Sequence, residues 1–375
     1  MDHWGLQELR ANLSDVPVLF LPECVLELIC KGRWPTIVLH ADGNHRSARN
    51  VNLEALKFLR KPSNELLCMV LVYVDDFLMC FHETYDISVL KGMFKWGEWT
   101  DVRKGIKFKG KELVLVQQPN GELCVRVTQT EFTRNSSVGK ITRDRSHGNP
   151  LLTPAEMTEF RSCSGCLQWL AGQTRPDLAA GATEEVGLMI RPVPLNSETV
   201  VVSYGDSSWA NAQNYKSQEG IAIVITTRTA LEGLDKCVLL DWKTTRTPRV
   251  VRSTIAGEAY AADDAIDRAY HTNCMMTEII SGQPVLKTGP KLLHVHATDC
   301  RSLFDAVISA NPSTEEKRVL MAVRAIEEAL DPKWFRWVPT GLMVADVLTK
   351  DSDALRWAFL PWLREPTCHL REVRQ

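Results

Sequence analysis

The longest apolar runs of the chain fall in two places. Residues 66–81, LLCMVLVYVDDFLMCF, are apolar on both sides of two adjacent acids, Asp75 and Asp76. The pattern predicts a hairpin, with strands over 67–73 and 77–81 and the acids at the turn. Residues 200–206, VVVSYGD, alternate as a strand. Val200, Val202, Tyr204 and Asp206 share one face, and Val201, Ser203 and Gly205 share the other. Further strands are expected at 220–227, 237–242, 292–299 and 334–338. Helices are expected at 256–280, 301–310, 315–330 and 344–350. Strands, helix, strand, helices, strand, helix is the plan of an α/β (α+β) domain built on a mixed five-stranded sheet.

The rest of the chain is patterned less strongly. Two strands are expected at 111–116 and 123–128, joined by a turn at 119–121. Residues 159–172 have a helical period, and residues 135–150 read as a polar, basic connection. Residues 191–199, with two prolines, read as a linker. In residues 1–62, Pro17, Pro22 and Pro35 break up short apolar runs; a strand at 37–40, a turn at 42–44 and a helix at 51–59 fit there. In the tail, Trp357 and Trp362 stand at near-helical spacing, which suggests a helix that docks on the domain. Four regions result: 1–62, 63–190, 200–350 and a tail over 351–375.

Composition narrows the function classes. The chain has 375 residues, 45% hydrophobic and 24% charged, room for two or three globular domains. A net charge of −2 gives no general basic footprint, so any nucleic-acid contact must use a local patch. One candidate is WKTTRTPRVVRST (242–254), which holds Lys243, Arg246, Arg249 and Arg252 and no acid. It fits a phosphate backbone or a solvated strand edge equally well. The 11 cysteines have no disulfide-like rhythm, no signal peptide opens the chain, and no apolar run approaches a membrane span. A reduced, intracellular protein without a membrane partner is expected. Cys163 and Cys166 form one Cys-x-x-Cys with no second pair, which favours a helix face over a zinc site.

Acids carry the candidate chemistry. Asp206, Glu258, Asp299 and Asp346 each fall at the end of an expected element, about 40 to 50 residues apart, so only a fold could gather them. Alone, each reads as a cap or a surface charge; Asp206 could cap a turn at Ser207 and Ser208. An acid on a core-facing strand is costly unless it is paired or holds a cation. Asp75 and Asp76 pose the same question, since their turn has neither the Gly nor the Asn usual in tight hairpins.

YVDD at 73–76 resembles the active-site box of reverse transcriptases, and the residues after it resemble copia-type retrotransposon polymerases. There the phrase G-x-L-x-W-L followed by T-R-P-D is matched by Gly165, Leu167, Trp169, Leu170, Thr174, Arg175, Pro176 and Asp177. The later phrases SYGDSSWA (203–210), STIAGEAYAA (253–262), HVHATDC (294–300) and WVPTGLMVADVLTK (337–350) resemble that family's ribonuclease H boxes. The resemblance spans residues 66–350 and is densest from 200 to 350. It implies a partial reverse-transcriptase palm and connection followed by a ribonuclease H-like domain. It also implies two Mg²⁺ or Mn²⁺ ions on Asp206, Glu258, Asp299 and Asp346, with Asp206 bridging. Glu258 and Asp299 would complete one site and Asp346 the other. The implied partner is an RNA–DNA hybrid, with other parts of such a polyprotein as further partners.

The palm is where the pattern departs. A polymerase needs a third carboxylate upstream, and none of the 72 residues before Tyr73 offers the family's phrase for it. Polymerase activity from this chain alone is therefore not expected, and a truncated copy or a late start is. His294 and His296 share a strand face opposite Asp299 and read as structural. Three readings result: a metal-dependent ribonuclease H-type nuclease, a non-catalytic nucleic-acid-binding relic, and an RNA-directed DNA polymerase completed in trans.

Overall fold

The computed structural model describes residues 36–40, 54–60, 66–73, 76–82, 85–93, 97–136, 153–179, 187–212, 216–248, 250–282, 285, 289–309, 317–350 and 352–371. The first sheet takes strands β1 (Thr36–His40), β2 (Glu54–Arg60), β3 (Leu66–Tyr73), β4 (Asp76–Phe81) and β5 (Trp99–Asp101) in the order β2-β3-β4-β1-β5. Helix α1 (Ser88–Met93) links β4 to β5. The β3–β4 hairpin follows the apolar pattern, pairing Cys68 with Phe81 at its base and Tyr73 with Asp76 at its tip. The helix expected at 51–59 is instead strand β2. Its EALKFLR sequence also suits an extended chain, and the edge of β3 takes it as partner from Glu54 to Arg60. With β1 and β2 paired to β4 and β3, the expected boundary at 62/63 falls inside this sheet.

A second sheet of four strands follows: β6 (Ile106–Phe108), β7 (Lys111–Gln117), β8 (Leu123–Thr128) and, after two helices, β9 (Leu188–Ile190). The helices are α2 (Thr130–Asn135) and α3 (Pro154–Gln173). Thr153 starts α3 with a reciprocal capping box to Glu156, two orphan backbone donors satisfied at once. Cys163 and Cys166 lie half-buried on α3 as free thiols. The TRPD phrase then makes a short 3-10 turn in which Arg175 forks onto Asp177, both fully buried.

The third sheet has five strands: β10 (Thr199–Ala212), β11 (Lys216–Thr227), β13 (Val238–Arg246), β14 (Leu293–Thr298) and β15 (Phe335–Trp337). Between β11 and β13, the short β12 (Leu234–Lys236) leaves the sheet to pair with β16 (Thr367–His369) of the tail. The sheet order is β13-β11-β10-β14-β15, antiparallel through β10 and parallel from β10 to β15. The chain is thus a mixed α/β protein with a five-stranded mixed sheet, as its pattern predicts.

Both faces of that sheet are covered, which is why β10, its central strand, is apolar on both sides. One face packs on the long helix α4 (Thr254–Ser281), through Val201, Ile221, Ile223 and Ile225 against Ala265, Ala269, Met275 and Met276. Ser253 caps the start of α4 and left-handed Gly282 ends it. Helices α5 (Arg301–Ile308) and α6 (Lys317–Ala329) extend this layer around Phe335. The other face buries Val200, Val202, Tyr204 and Val224 under α7 (Asp346–Thr349) and α8 (Asp353–Arg364). In α8, Phe359 and Leu363 dock while Trp357 stays 67% exposed. Five residues apart, Trp357 and Trp362 point about 140° apart on a helix, so only one can face the core.

Candidate metal centre

The geometry of β10 sets the site. Asp206 lies within the strand, not at its end: β11 stays paired with β10 past Asp206 as far as Ser208. The parallel partner β14, however, stops at the Tyr204–Ala297 pair. Beyond that point the β14 side of β10 is open, and Asp299 enters the gap directly after β14. Asp206 keeps the parity of Val200, Val202 and Tyr204, so it faces the layer that holds α7. Asp346 is the first residue of α7. The turn-cap reading of Asp206 is thereby excluded.

Carboxylate oxygens of Asp206, Asp299 and Asp346 lie within 4.8 Å of one another, with Asp206 and Asp346 buried and Asp299 half-buried. Among the described residues this is the one group of three or more His, Cys, Asp or Glu side chains so placed. Glu258, in the second turn of α4, is buried and close enough for the charges of Asp206 and Asp299 to act on it. The Ser207 N–H donates to the Glu258 carboxylate, yet Glu258 Oε2 has no hydrogen-bond partner. An unpaired carboxylate oxygen in the interior is costly, and either a proton or a bound cation would answer it.

The electrostatics agree with that chemistry. Burial, then the charges of Asp206 and Asp299, pushes Glu258 up to about 9. Burial, then Asp206, raises Asp346 to about 6. Burial also raises Asp206, against the pull of Lys350 and a hydrogen bond from Thr349. Carboxylates crowded in a dry site resist ionising together, and hard divalent cations relieve them. The donor set is all oxygen and so fits Mg²⁺ or Mn²⁺ rather than a softer metal.

Two further residues touch the acids. The Thr349 hydroxyl donates to Asp206 Oδ2. Lys350 Nζ lies 2.6 Å from Asp346 Oδ1 and 3.6 Å from Asp206 Oδ1. Reasoning from the sequence gave neither a role, although the signal was there: Lys350 stands four residues after Asp346, one helical turn away. His294 Nε2 and His296 Nδ1 both lie 2.9 Å from Ser203 Oγ, on the α4 side of the sheet and away from the acids.

The basic run separates into unlike parts. Lys243 is on β13, with Nζ 3.5 Å from Asp264 Oδ2 and 3.8 Å from Glu219 Oε1. Arg246 and Arg252 are exposed, and Arg249 lies outside the described residues. Trp209, half exposed, donates its indole N–H to Val251 O at 3.1 Å and so ties the end of β10 to this run. In the hairpin, Asp76 opens β4 and is half-buried, while Asp75 lies outside the described residues. Asp76 belongs to no three-membered acidic group among the described residues.

Fold and site together define a mixed α/β protein with a buried carboxylate cluster at the open side of its central strand. No family model and no curated protein matches the chain. Among solved structures it is similar to ribonuclease H1 from the halophilic archaeon Halobacterium salinarum NRC-1, at 12% identity and a TM-score of 0.28, over 40% of this chain and 94% of that one. It is also similar to the foamy viral protease-reverse transcriptase in complex with an RNA/DNA hybrid, at 12% identity and a TM-score of 0.39. That match covers 88% of this chain and 48% of the viral one. No helix of the described residues is long and apolar enough to cross a membrane.

Proposed function

We propose that residues 200–350 form a ribonuclease H-type nuclease that hydrolyses the RNA strand of RNA–DNA hybrids, within a chain derived from a copia-type reverse transcriptase. One observation carries this reading: Asp206, Asp299 and Asp346, far apart in sequence, bring carboxylate oxygens within 4.8 Å beside Glu258, whose Oε2 has no hydrogen-bond partner. The sheet order and the four ribonuclease H-like phrases support it. Two divalent ions held by these carboxylates would supply an activated water and stabilise the leaving oxygen. The protein's own contribution is positional. The Thr349 hydroxyl fixes the Asp206 carboxylate, the Ser207 N–H orients Glu258, and burial under α4 and α7 keeps bulk water away.

The test is Mg²⁺- or Mn²⁺-dependent cleavage of a labelled RNA–DNA hybrid by the full chain and by Asp206→Asn. Loss on the order of 10²-fold or more in the variant is expected. Equal cleavage by both proteins rules out this site, and no cleavage by either favours the binding relic. For the region 63–190, read as a palm and connection remnant, Asp75 and Asp76 lack a third carboxylate in a family phrase. Primer extension on an RNA template is expected to give no product.

A further inference from the structure

Lys350 is the one cation in contact with the acidic cluster among the described residues. Its position is built in rather than incidental. Its backbone N–H closes α7 onto Asp346 O at 3.0 Å, which plants the side chain one turn from the acid it pairs with. Thr349 donates to Asp206 Oδ2, and the ammonium lies on the other side, 2.6 Å from Asp346 Oδ1 and 3.6 Å from Asp206 Oδ1. Those are two of the three acids whose oxygens converge. The side chain is also 37% exposed, so the ammonium has a path out along its flexible stem.

We propose that Lys350 is a tethered counter-ion: it offsets the charge of Asp206 and Asp346 in the metal-free protein, and a divalent cation must displace it to bind there. The inference rests on the metal-site reading above. The charges acting on the ammonium are those of Asp206, Asp346 and Asp299, with Glu258 close by, so without it the metal-free cluster holds no cation. The same residue therefore stabilises the protein without metal and weakens its hold on metal. Such competition raises the divalent-ion concentration at which the site half-fills.

The experiment compares the full-length chain with Lys350→Met and Lys350→Arg. It measures Mn²⁺ affinity by isothermal titration calorimetry and thermal midpoint in EDTA. Lys350→Met should melt lower in EDTA yet bind Mn²⁺ about tenfold more tightly or better, a gain of about 1.4 kcal/mol or more. Lys350→Arg should keep the wild-type midpoint. A Lys350→Met protein with a native circular dichroism spectrum and equal or weaker Mn²⁺ affinity overturns the proposal. Should that variant be unfolded in EDTA, Mn²⁺ is titrated in. Refolding below the wild-type Kd supports the proposal, and no recovery at saturating Mn²⁺ overturns it. Absence of Mn²⁺ binding by the wild type overturns both this role and the metal-site reading. Wild-type binding and hybrid cleavage with unchanged affinity in Lys350→Met overturns the role of Lys350 alone.

Discussion

Gly220 stands directly opposite Asp206 in the β10–β11 ladder, and α7 occupies the space a side chain would need there. A Cβ at Gly220 would lie 2.7 Å from Thr349 Cγ2 and 2.9 Å from Ala345 O. On the same stretch of β10, a Cβ at Gly205 would lie 2.6 Å from Ala261 O of α4. The two glycines let one helix close on each face of the sheet beside Asp206, bringing in Asp346 from one side and Glu258 from the other. Gly220→Val should push α7 outward, since a backbone carbonyl cannot swing aside as a side-chain tip can. The expected cost is about 1–3 kcal/mol in a urea midpoint. Mn²⁺ affinity should fall with it, because Asp346 and Thr349 ride on α7. Unchanged Mn²⁺ binding in Gly220→Val would show that α7 need not sit this close.

The acids also set a pH dependence in the metal-free state. Glu258 has a folded pKa of about 9 against an ordinary 4.5, chiefly from burial, and Asp346 about 6 against 3.8. A raised pKa means the folded protein holds the proton more tightly than the unfolded chain. The contribution of Glu258 is therefore full below about 4.5 and lost as pH rises towards 9, and that of Asp346 is full below about 3.8 and lost as pH rises towards 6. His294 and His296 act with the opposite sign. Burial lowers them to about 4 and about 3, so their contribution is full above about 6.5 and lost as pH falls. In EDTA, Glu258→Gln should be more stable than the wild type at pH 8, on the order of a few kcal/mol, with the gap closing towards pH 5. Chemical denaturation at the two pH values measures it, and a gap that does not change with pH would sink the assignment.

The element order of the third sheet was legible because its strands and helices carry distinct periods, and some ends are marked in the sequence, as by Ser253 and Gly282 around α4. The placement of Asp206 inside β10 was not. How far β10 runs past it depends on β11 staying in register, and SSWANA has no strong strand pattern of its own. Strand β2 was misread for a related reason: a seven-residue run suits either period, and the waiting edge of β3 decides. The convergence of the acids could be anticipated only through phrases resembling a known family, since gaps this long carry no local geometry. Lys350 was visible by spacing alone, four residues from Asp346.

The TRPD turn gives a stability prediction independent of any activity. Arg175 Nε and Nη2 donate to Asp177 Oδ1 and Oδ2 at 2.8 and 2.7 Å, with both side chains almost wholly buried. This turn packs against α7, so the segment before β9 supports the helix that carries Asp346. Arg175→Met would leave Asp177 charged and buried, at a cost of about 3–5 kcal/mol. The double variant Arg175→Met with Asp177→Leu should recover much of that loss. A single variant as stable as the wild type in urea would show that the pair is not desolvated as described.

Lys243, Arg246 and Arg252 belong to one basic run but should contribute unequally to hybrid binding. Lys243 already faces Asp264 and the buried Glu219, so part of its charge is answered within the protein. Arg246 and Arg252 are exposed, and the bond from Trp209 to Val251 O holds the stretch before Arg252 against the end of β10. Each phosphate contact releases condensed counter-ions, so removing one lowers the slope of log affinity against log salt by about 1. Arg246→Gln and Arg252→Gln should each show that drop in a fluorescence-anisotropy titration of an RNA–DNA hybrid, whereas Lys243→Gln should leave the slope nearly unchanged. Using the Asp206→Asn background prevents cleavage during the measurement. Equal drops for all three would mean that Lys243 leaves its acids to meet the phosphate, and no drop for any would place the hybrid on another face.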